Sequence, residues 1–431
     1  MKLKKFIALM MALCFILMAC APAAGNPDAT TDATTGGSTE ATTAATTEEP
    51  AYVFDALTLA GEDISKYKIV YAPALLSSLA RRYRDVLAPE YQYYQIVANR
   101  LAELIKEKFD ITLEVVMDED EITKGTYEIL VGPTNRTESK TLMASKTFSV
   151  DDYTIAVSNS KLVIYGGSAG STWHSIEEFE KMFKEAEDNK ATTVEIAADK
   201  KINGTYKMKH IACIGDSYVG GSKASHDELK FPQQLQRFVW RDYMVYNDGI
   251  GGSDMRDDLQ YKPNPYNQTT QYKNLLARNV KYDLVIMHLG GNDAWKHGVP
   301  LPGDQRHIWS EANDAYFFEC YKKIIDSIKN HSPNTKFVTM KCVWLDSKTY
   351  YGVEHVKVLQ ENGARTLKAA GYDMYLYDAW AMSLDHFTPD LYADDKIHVN
   401  DKGYLVFAGL MYDLVRAVMD GEENKYMIDI S

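Results

Sequence analysis

Four short runs in the second half of the chain are apolar at nearly every position: HIACIGD (210–216), DLVIMHLGG (283–291), KFVTMKCVW (336–344) and DMYLYD (373–378). A strand with one wet face alternates apolar and polar residues, so a run without alternation has both faces covered. The stretches between them repeat at helical spacing. In YFFECYKKIIDSI, Phe317, Cys320, Tyr321, Ile324 and Ile328 fall on one helix face. Strands and helices in alternation predict an α/β fold, a parallel sheet sandwiched between helical layers. In such folds ligands bind outside the carboxyl ends of the strands, and the short polar motifs of this chain lie at those ends.

Residues 51–205 read differently. YKIVYAP and YEILVGP are short buried strands, and QYYQIVANRLAELIKEKF carries Val97, Leu101, Leu104 and Ile105 at helical spacing. DYTIAVSNSKLVIYGG reads as two strands joined at Asn159-Ser160, and GSTWHSIEEFEKMFKEA as a helix started by Ser171 or Thr172. The expectation is a smaller α+β domain over 51–205 and a larger α/β domain over 206–431.

The N-terminus, MKLKKFIALMMALCFILMAC, places Lys2, Lys4 and Lys5 before an apolar run that ends at Ala19-Cys20. This is the pattern of a signal peptide over 1–20. A transmembrane anchor is the weaker reading, because the run is barely long enough to span and no basic cluster follows it. Ala19-Cys20 resembles the lipobox of bacterial lipoproteins, which implies that Cys20 carries the lipid. Residues 21–50 are rich in Thr, Ala, Gly and Glu and have almost no large apolar side chain, so they predict a disordered tether. The expected location is the cell surface or the extracytoplasmic side of a bacterial membrane, held by a lipid anchor.

A net charge of −13 argues against a nucleic-acid partner. Beyond Cys14 and Cys20, only Cys213, Cys320 and Cys342 remain, too few for a disulfide framework, and Cys213 reads as a small buried thiol. No Cys/His cluster has zinc spacing. Nothing in the pattern calls for a metal or a cofactor.

At the end of the first apolar run, IACIGDSYVGG (211–221) turns sharply at Gly215-Asp216-Ser217, where a serine hydroxyl can be exposed. A hydroxyl needs a base to take its proton. His398, in YADDKIHVNDKGYLVFAGLMYDLV, has Asp395 three residues before it and an amphipathic helix after it, so carboxylate and imidazole can pair while Asn400 or Asp395 caps the helix. Attack on a carbonyl builds an oxyanion that needs donors. YNDGIGGSD (246–254) offers glycine N–H groups, and HLGGNDAW (288–295) offers the Asn292 amide. His288 reads as a core or rim residue. His226 and His297 lie in loops that could line the cleft, and Tyr218 and Trp295 are candidates for substrate contact or for plain packing.

In this order and spacing the GDS, glycine, GxND and DxxH blocks resemble the SGNH or GDSL hydrolase superfamily of esterases and lipases, over nearly all of residues 209–419. The resemblance implies a three-layer α/β/α sandwich with a flavodoxin-like parallel sheet. It makes Ser217 the nucleophile, His398 the general base and acid, and Asp395 its orienter. The oxyanion hole would be the N–H groups of Ser217 and Gly252 and the Asn292 side chain. Val399 stands where many members have proline, and Asp394 beside Asp395 is a second carboxylate. Residues 51–205 are similar to the small α+β domain that precedes the catalytic barrel in some hexosaminidases and alpha-glucuronidases. The implied activity is removal of O-acetyl or other short acyl groups from carbohydrate. A lipase or aryl esterase, an O-acyltransferase and a non-catalytic glycan-binding lipoprotein are the alternatives.

Overall fold

The computed structural model describes residues 52–119, 125–258, 263–298, 311–343 and 352–431, with the backbone alone at 295, 297 and 298. The signal peptide, the tether and the Cys20 anchor lie outside the described residues. Residues 51–431 form one compact unit. Among the described residues no helix is long and apolar enough to cross a membrane.

Among the described residues the first part carries nine strands: β1 (Ala56–Leu59), β2 (Glu62–Asp63), β3 (Lys68–Tyr71), β4 (Val115–Met117), β5 (Glu128–Val131), β6 (Asp152–Ser158), β7 (Lys161–Gly166), β8 (Thr193–Ile196) and β9 (Lys201–Thr205). They make a mixed six-stranded sheet in the order β4-β3-β5-β7-β6-β9 and a small sheet β2-β1-β8. The β6–β7 hairpin turns on Asn159 and Ser160, both at positive φ (51° and 60°), the backbone that a two-residue turn between twisted strands demands. Helix Tyr93–Phe109 buries Val97, Leu101 and Ile105 against this sheet, with Leu104 partly buried at its edge.

One helix start differs from expectation. Ser168, not Ser171 or Thr172, caps the helix after β7: its hydroxyl accepts from the Ser171 N–H at 3.0 Å, and the Ser171 hydroxyl accepts from the Ser168 N–H at 3.1 Å. The helix is also interrupted at Ser175-Ile176, giving Ala169–His174 and Glu177–Asp188, with Ile176 fully buried between them.

The second part builds a six-stranded sheet from β10 (Lys209–Gly215), β11 (Tyr243–Gly249), β12 (Leu284–His288), β13 (Lys336–Met340), β14 (Met374–Tyr377) and β15 (Met427–Ile428). Their order is β11-β10-β12-β13-β14-β15, with all neighbours parallel except the edge strand β15. The unbroken apolar runs now have a cause. On β10, Ile211 and Cys213 enter the core on one face while Ala212 and Ile214 enter the core on the other. Leu284 and Ile286 of β12 divide from Val285 and Met287 in the same way. Helices Phe231–Val239 and Asp401–Asp420 cover the first face, and Thr270–Ala277, Glu311–His331 and Val353–Ala369 the second. This is the expected three-layer α/β/α sandwich.

The chain leaves β10 for β11 on one side and then crosses to β12 on the other. The carboxyl end of β10 is therefore a topological switch point, where neighbouring loops part and leave a crevice. Gly215 makes the turn there. Its φ is +151°, and a Cβ would stand 2.1 Å from the His288 carbonyl oxygen, so only glycine brings β10 and β12 together at this point.

Candidate active site

Ser217 is the first residue of the short helix Ser217–Gly220, which begins directly after the Gly215 turn. The Asp216 side chain caps that helix by accepting from the Tyr218 N–H at 3.1 Å. With its backbone fixed in this way, the Ser217 Oγ lies 2.8 Å from His398 Nε2. His398 Nδ1 lies 2.7 Å from Asp395 Oδ2. The other oxygen, Oδ1, accepts from the backbone N–H groups of His398 (2.9 Å) and Ile397 (3.0 Å).

Desolvation alone would push the Asp395 carboxyl up. The hydrogen bonds from the His398 ring and from the two backbone N–H groups outweigh it and hold the carboxyl below its ordinary value. An ionised Asp395 leaves the proton of neutral His398 on Nδ1, so Nε2 presents a lone pair to the serine. Because the folded value is depressed, the stabilisation from this carboxylate is present above the unfolded carboxylate value and is lost as pH falls through the folded one. Replacing Asp395 with Asn should lower kcat on an ester by about a thousandfold while KM stays near wild type; steady-state kinetics at neutral pH check this.

Asn400, not Asp395, caps the final helix, accepting from the N–H groups of Lys402 and Gly403. Helix cap and His–Asp pair thus coexist on one loop. Asp394 turns away and pairs with Lys223 at 2.9 Å. The three-residue spacing of Asp395 and His398 is the one that closes the contact.

The Asn292 Nδ2 donates to the Ser253 carbonyl at 2.9 Å, which leaves its second N–H for another acceptor. Asn292 and Ser217 line the same cavity of about 30 Å³, together with His288, Gly291, Cys342, Val343, Val353 and Ile397. Gly252 adopts φ +76°, and its N–H has no partner among the described residues. Ser217 opens its helix, so its N–H belongs to the set that a helix leaves unpaired.

Tyr218 borders this cavity, yet most of its side chain is packed. It is 3% exposed, its hydroxyl donates to the Ile397 carbonyl, and its ring packs on His398, His288 and Phe407. The side chains of Trp295 and His297 lie outside the described residues. His288 is a buried residue whose Nδ1 lies 3.0 Å from Asp216 Oδ1, and His226 caps the turn Asp227–Leu229. Burial pushes the Cys213 thiol well up, so it is inert packing.

Sequence reasoning missed a buried trio behind the glycine loop. Lys296 donates to Asp254 (2.7 Å) and to the Gly252 carbonyl (3.0 Å), and Asp293 accepts from the N–H groups of Met255 (2.8 Å) and Arg256 (3.0 Å). Burial, with the Asp254 carboxylate nearby, pushes the Asp293 carboxyl well up. The trio fastens the loop of Gly252 to the helix of Asn292. The acidic residues in GGSD and GGND were its only sequence signal. Among the described residues no group of three His, Cys, Asp or Glu side chains is arranged to hold a metal ion.

A serine, histidine and carboxylate relay at the switch point of a parallel α/β sheet, with amide donors on the adjoining loops, is an arrangement chemically able to transfer an acyl group. Residues 213–406 match the model of the GDSL-like lipase/acylhydrolase family. This part of the chain belongs to that family, and the protein is an ester-bond hydrolase. A search among curated proteins found no match. Solved structures that it resembles include a carbohydrate esterase family 3 protein from Talaromyces cellulolyticus, at 17% identity over 49% of this chain and 99% of that one, with a TM-score of 0.35. An acetyl-xylooligosaccharide esterase variant from Geobacillus Stearmophilus is similar at 15% identity over 49% and 94%, with a TM-score of 0.36.

Proposed function

We propose that the protein is a lipid-anchored, extracytoplasmic serine esterase that removes acetyl or other short acyl groups from carbohydrate through an acyl-serine intermediate. The observation that carries the mechanism is the continuous relay from Ser217 Oγ through His398 to Asp395, at 2.8 and 2.7 Å. As Oγ bonds to the ester carbonyl carbon, its proton passes to Nε2, and Asp395 stabilises the imidazolium. The carbonyl oxygen becomes an oxyanion facing the N–H groups of Ser217 and Gly252 and the Asn292 amide. Collapse expels the alcohol, which takes the proton from Nε2. Water then gives a proton to Nε2 and its oxygen to the acyl carbon, and the acid leaves as Oγ recovers the proton.

Export and anchoring rest on the N-terminal run ending at Cys20 and on the tether after it. The carbohydrate part rests on the similarity of residues 51–205 to the accessory domain of glycosidases and on the exported location, where polysaccharide is at hand. The test is hydrolysis of acetyl, butyryl and octanoyl p-nitrophenyl esters by the full-length chain, alongside acetate release from acetylated xylan and pectin. Acetyl-selective turnover with acetate release from a polysaccharide is expected. Selective turnover of the octanoyl ester would instead make it a lipase, and no turnover of any substrate would contradict the esterase reading.

A further inference from the structure

The segment that leaves the nucleophile is tied to the segment that carries the base at three places. The Tyr218 hydroxyl donates to the Ile397 carbonyl. The Lys223 ammonium lies 2.9 Å from Asp394 Oδ1 and 4.0 Å from Asp395 Oδ2. Ser225 donates to the Asp401 carboxylate through its backbone N–H (2.8 Å) and its hydroxyl (2.6 Å). These ties fall before, within and after the span of Asp395 and His398, so they set its register against Ser217. Lys223 holds a left-handed backbone, φ +71°, which a non-glycine residue keeps only where its surroundings enforce it.

The residues that follow Lys223 pack on the first part of the chain. Leu229 is fully buried in an apolar cluster with Leu75, Ala80, Tyr83 and Leu87, and Ala224 packs against the same cluster. Beside it, the buried Gln234 accepts from the Ala88 N–H at 2.9 Å and donates to the Val86 carbonyl at 2.5 Å. Glu90 accepts from Trp240 Nε1 (2.5 Å) and from Arg241 (3.1 Å).

We propose that residues 75–90 brace the catalytic base: packed against residues 222–229, they fix Lys223 and Ser225, which hold the Asp395–His398 loop in register with Ser217. The inference rests on the serine-esterase reading and gives the accessory region a part in it. Lys223, Tyr83 and Leu87 are then positioning residues that touch no substrate. The charged groups facing the imidazole are Asp395 and, across that carboxylate, Lys223 with Asp394. The Tyr218 ring packs on the imidazole from the nucleophile helix and also touches His288, which pairs with Asp216.

The test uses the full-length chain and two readouts, the rate at which a fluorophosphonate labels Ser217 and the pH profile of p-nitrophenyl acetate hydrolysis. Lys223→Met should slow both labelling and kcat about tenfold with KM unchanged, and Lys223→Arg should restore most of the loss. The acid limb of kcat/KM should move to higher pH in Lys223→Met, since a cation near an imidazole opposes its protonation. Tyr83→Ala should lower kcat about threefold, and Tyr83→Ala with Lys223→Met should fall no further than Lys223→Met alone, the non-additivity of residues acting through one path. Leu87→Val trims the same cluster gently and reads the same coupling if Tyr83→Ala melts below the assay temperature. Unchanged labelling and an unmoved acid limb in Lys223→Met, or losses that simply multiply, would overturn the brace while leaving the esterase standing. A wild-type chain that neither labels nor hydrolyses would overturn the esterase reading itself.

Discussion

Ser217→Ala should abolish ester hydrolysis, with kcat on p-nitrophenyl acetate falling by at least about a thousandfold, or about 4 kcal/mol of barrier, while folding is kept. The size follows from the geometry. His398 Nε2 has the Ser217 Oγ as its partner at 2.8 Å, so removing that oxygen leaves the base without a nucleophile to activate. Substrate binding does not use the hydroxyl, so KM for any residual activity should change little. Folding is kept because the turn is built by Gly215 and by the Asp216 cap, neither of which involves the serine hydroxyl. Comparing kcat, KM and the melting temperature of the two proteins checks all three statements.

Asn292→Ala should lower kcat by about 10² to 10³ with KM near wild type. One amide N–H of Asn292 is committed to the Ser253 carbonyl, and that bond orients the side chain; the other is left for the oxyanion. The charge on that oxygen develops only on the way to the tetrahedral intermediate, so the loss belongs to the transition state and appears in kcat. Asn292→Asp should be worse than Ala, because a carboxylate places negative charge where negative charge must form. Steady-state kinetics on acetyl esters separate these outcomes from a folding defect, which would lower the active fraction and leave the chain-length preference unchanged.

The catalytic part was legible because its strongest signals are local. Ile211 through Ile214 must find cover on two faces, which dictates the layers whatever the helices are. Asp395 and His398, three residues apart on one loop, need no distant partner to pair, and sequence spacing chose Asp395 over Asp394 as the geometry does. The serine was legible for the same reason, as glycine and aspartate at a strand end announce the turn. For Tyr218 the sequence left substrate contact and packing open, and the turn of the short helix carries most of the ring into the core.

Features built from distant residues were not legible. The trio of Asp254, Asp293 and Lys296 joins a loop to a helix, and no periodicity marks it. The edge strand β15 is two residues long and pairs antiparallel to β14, too short to show a pattern. Gln234 spans 146 residues to reach Ala88 and Ser225 spans 176 to reach Asp401, so the brace exists only in the folded chain. The break at Ser175-Ile176 escaped because the apolar spacing runs on across it.

The most direct test of the central claim is to label the full-length chain with a fluorophosphonate and locate the adduct by peptide mass spectrometry. A single adduct on Ser217, absent from His398→Ala and formed more slowly in Asp395→Asn, is the predicted result. An adduct on another residue, or labelling of Ser217 that is indifferent to His398, would contradict the account.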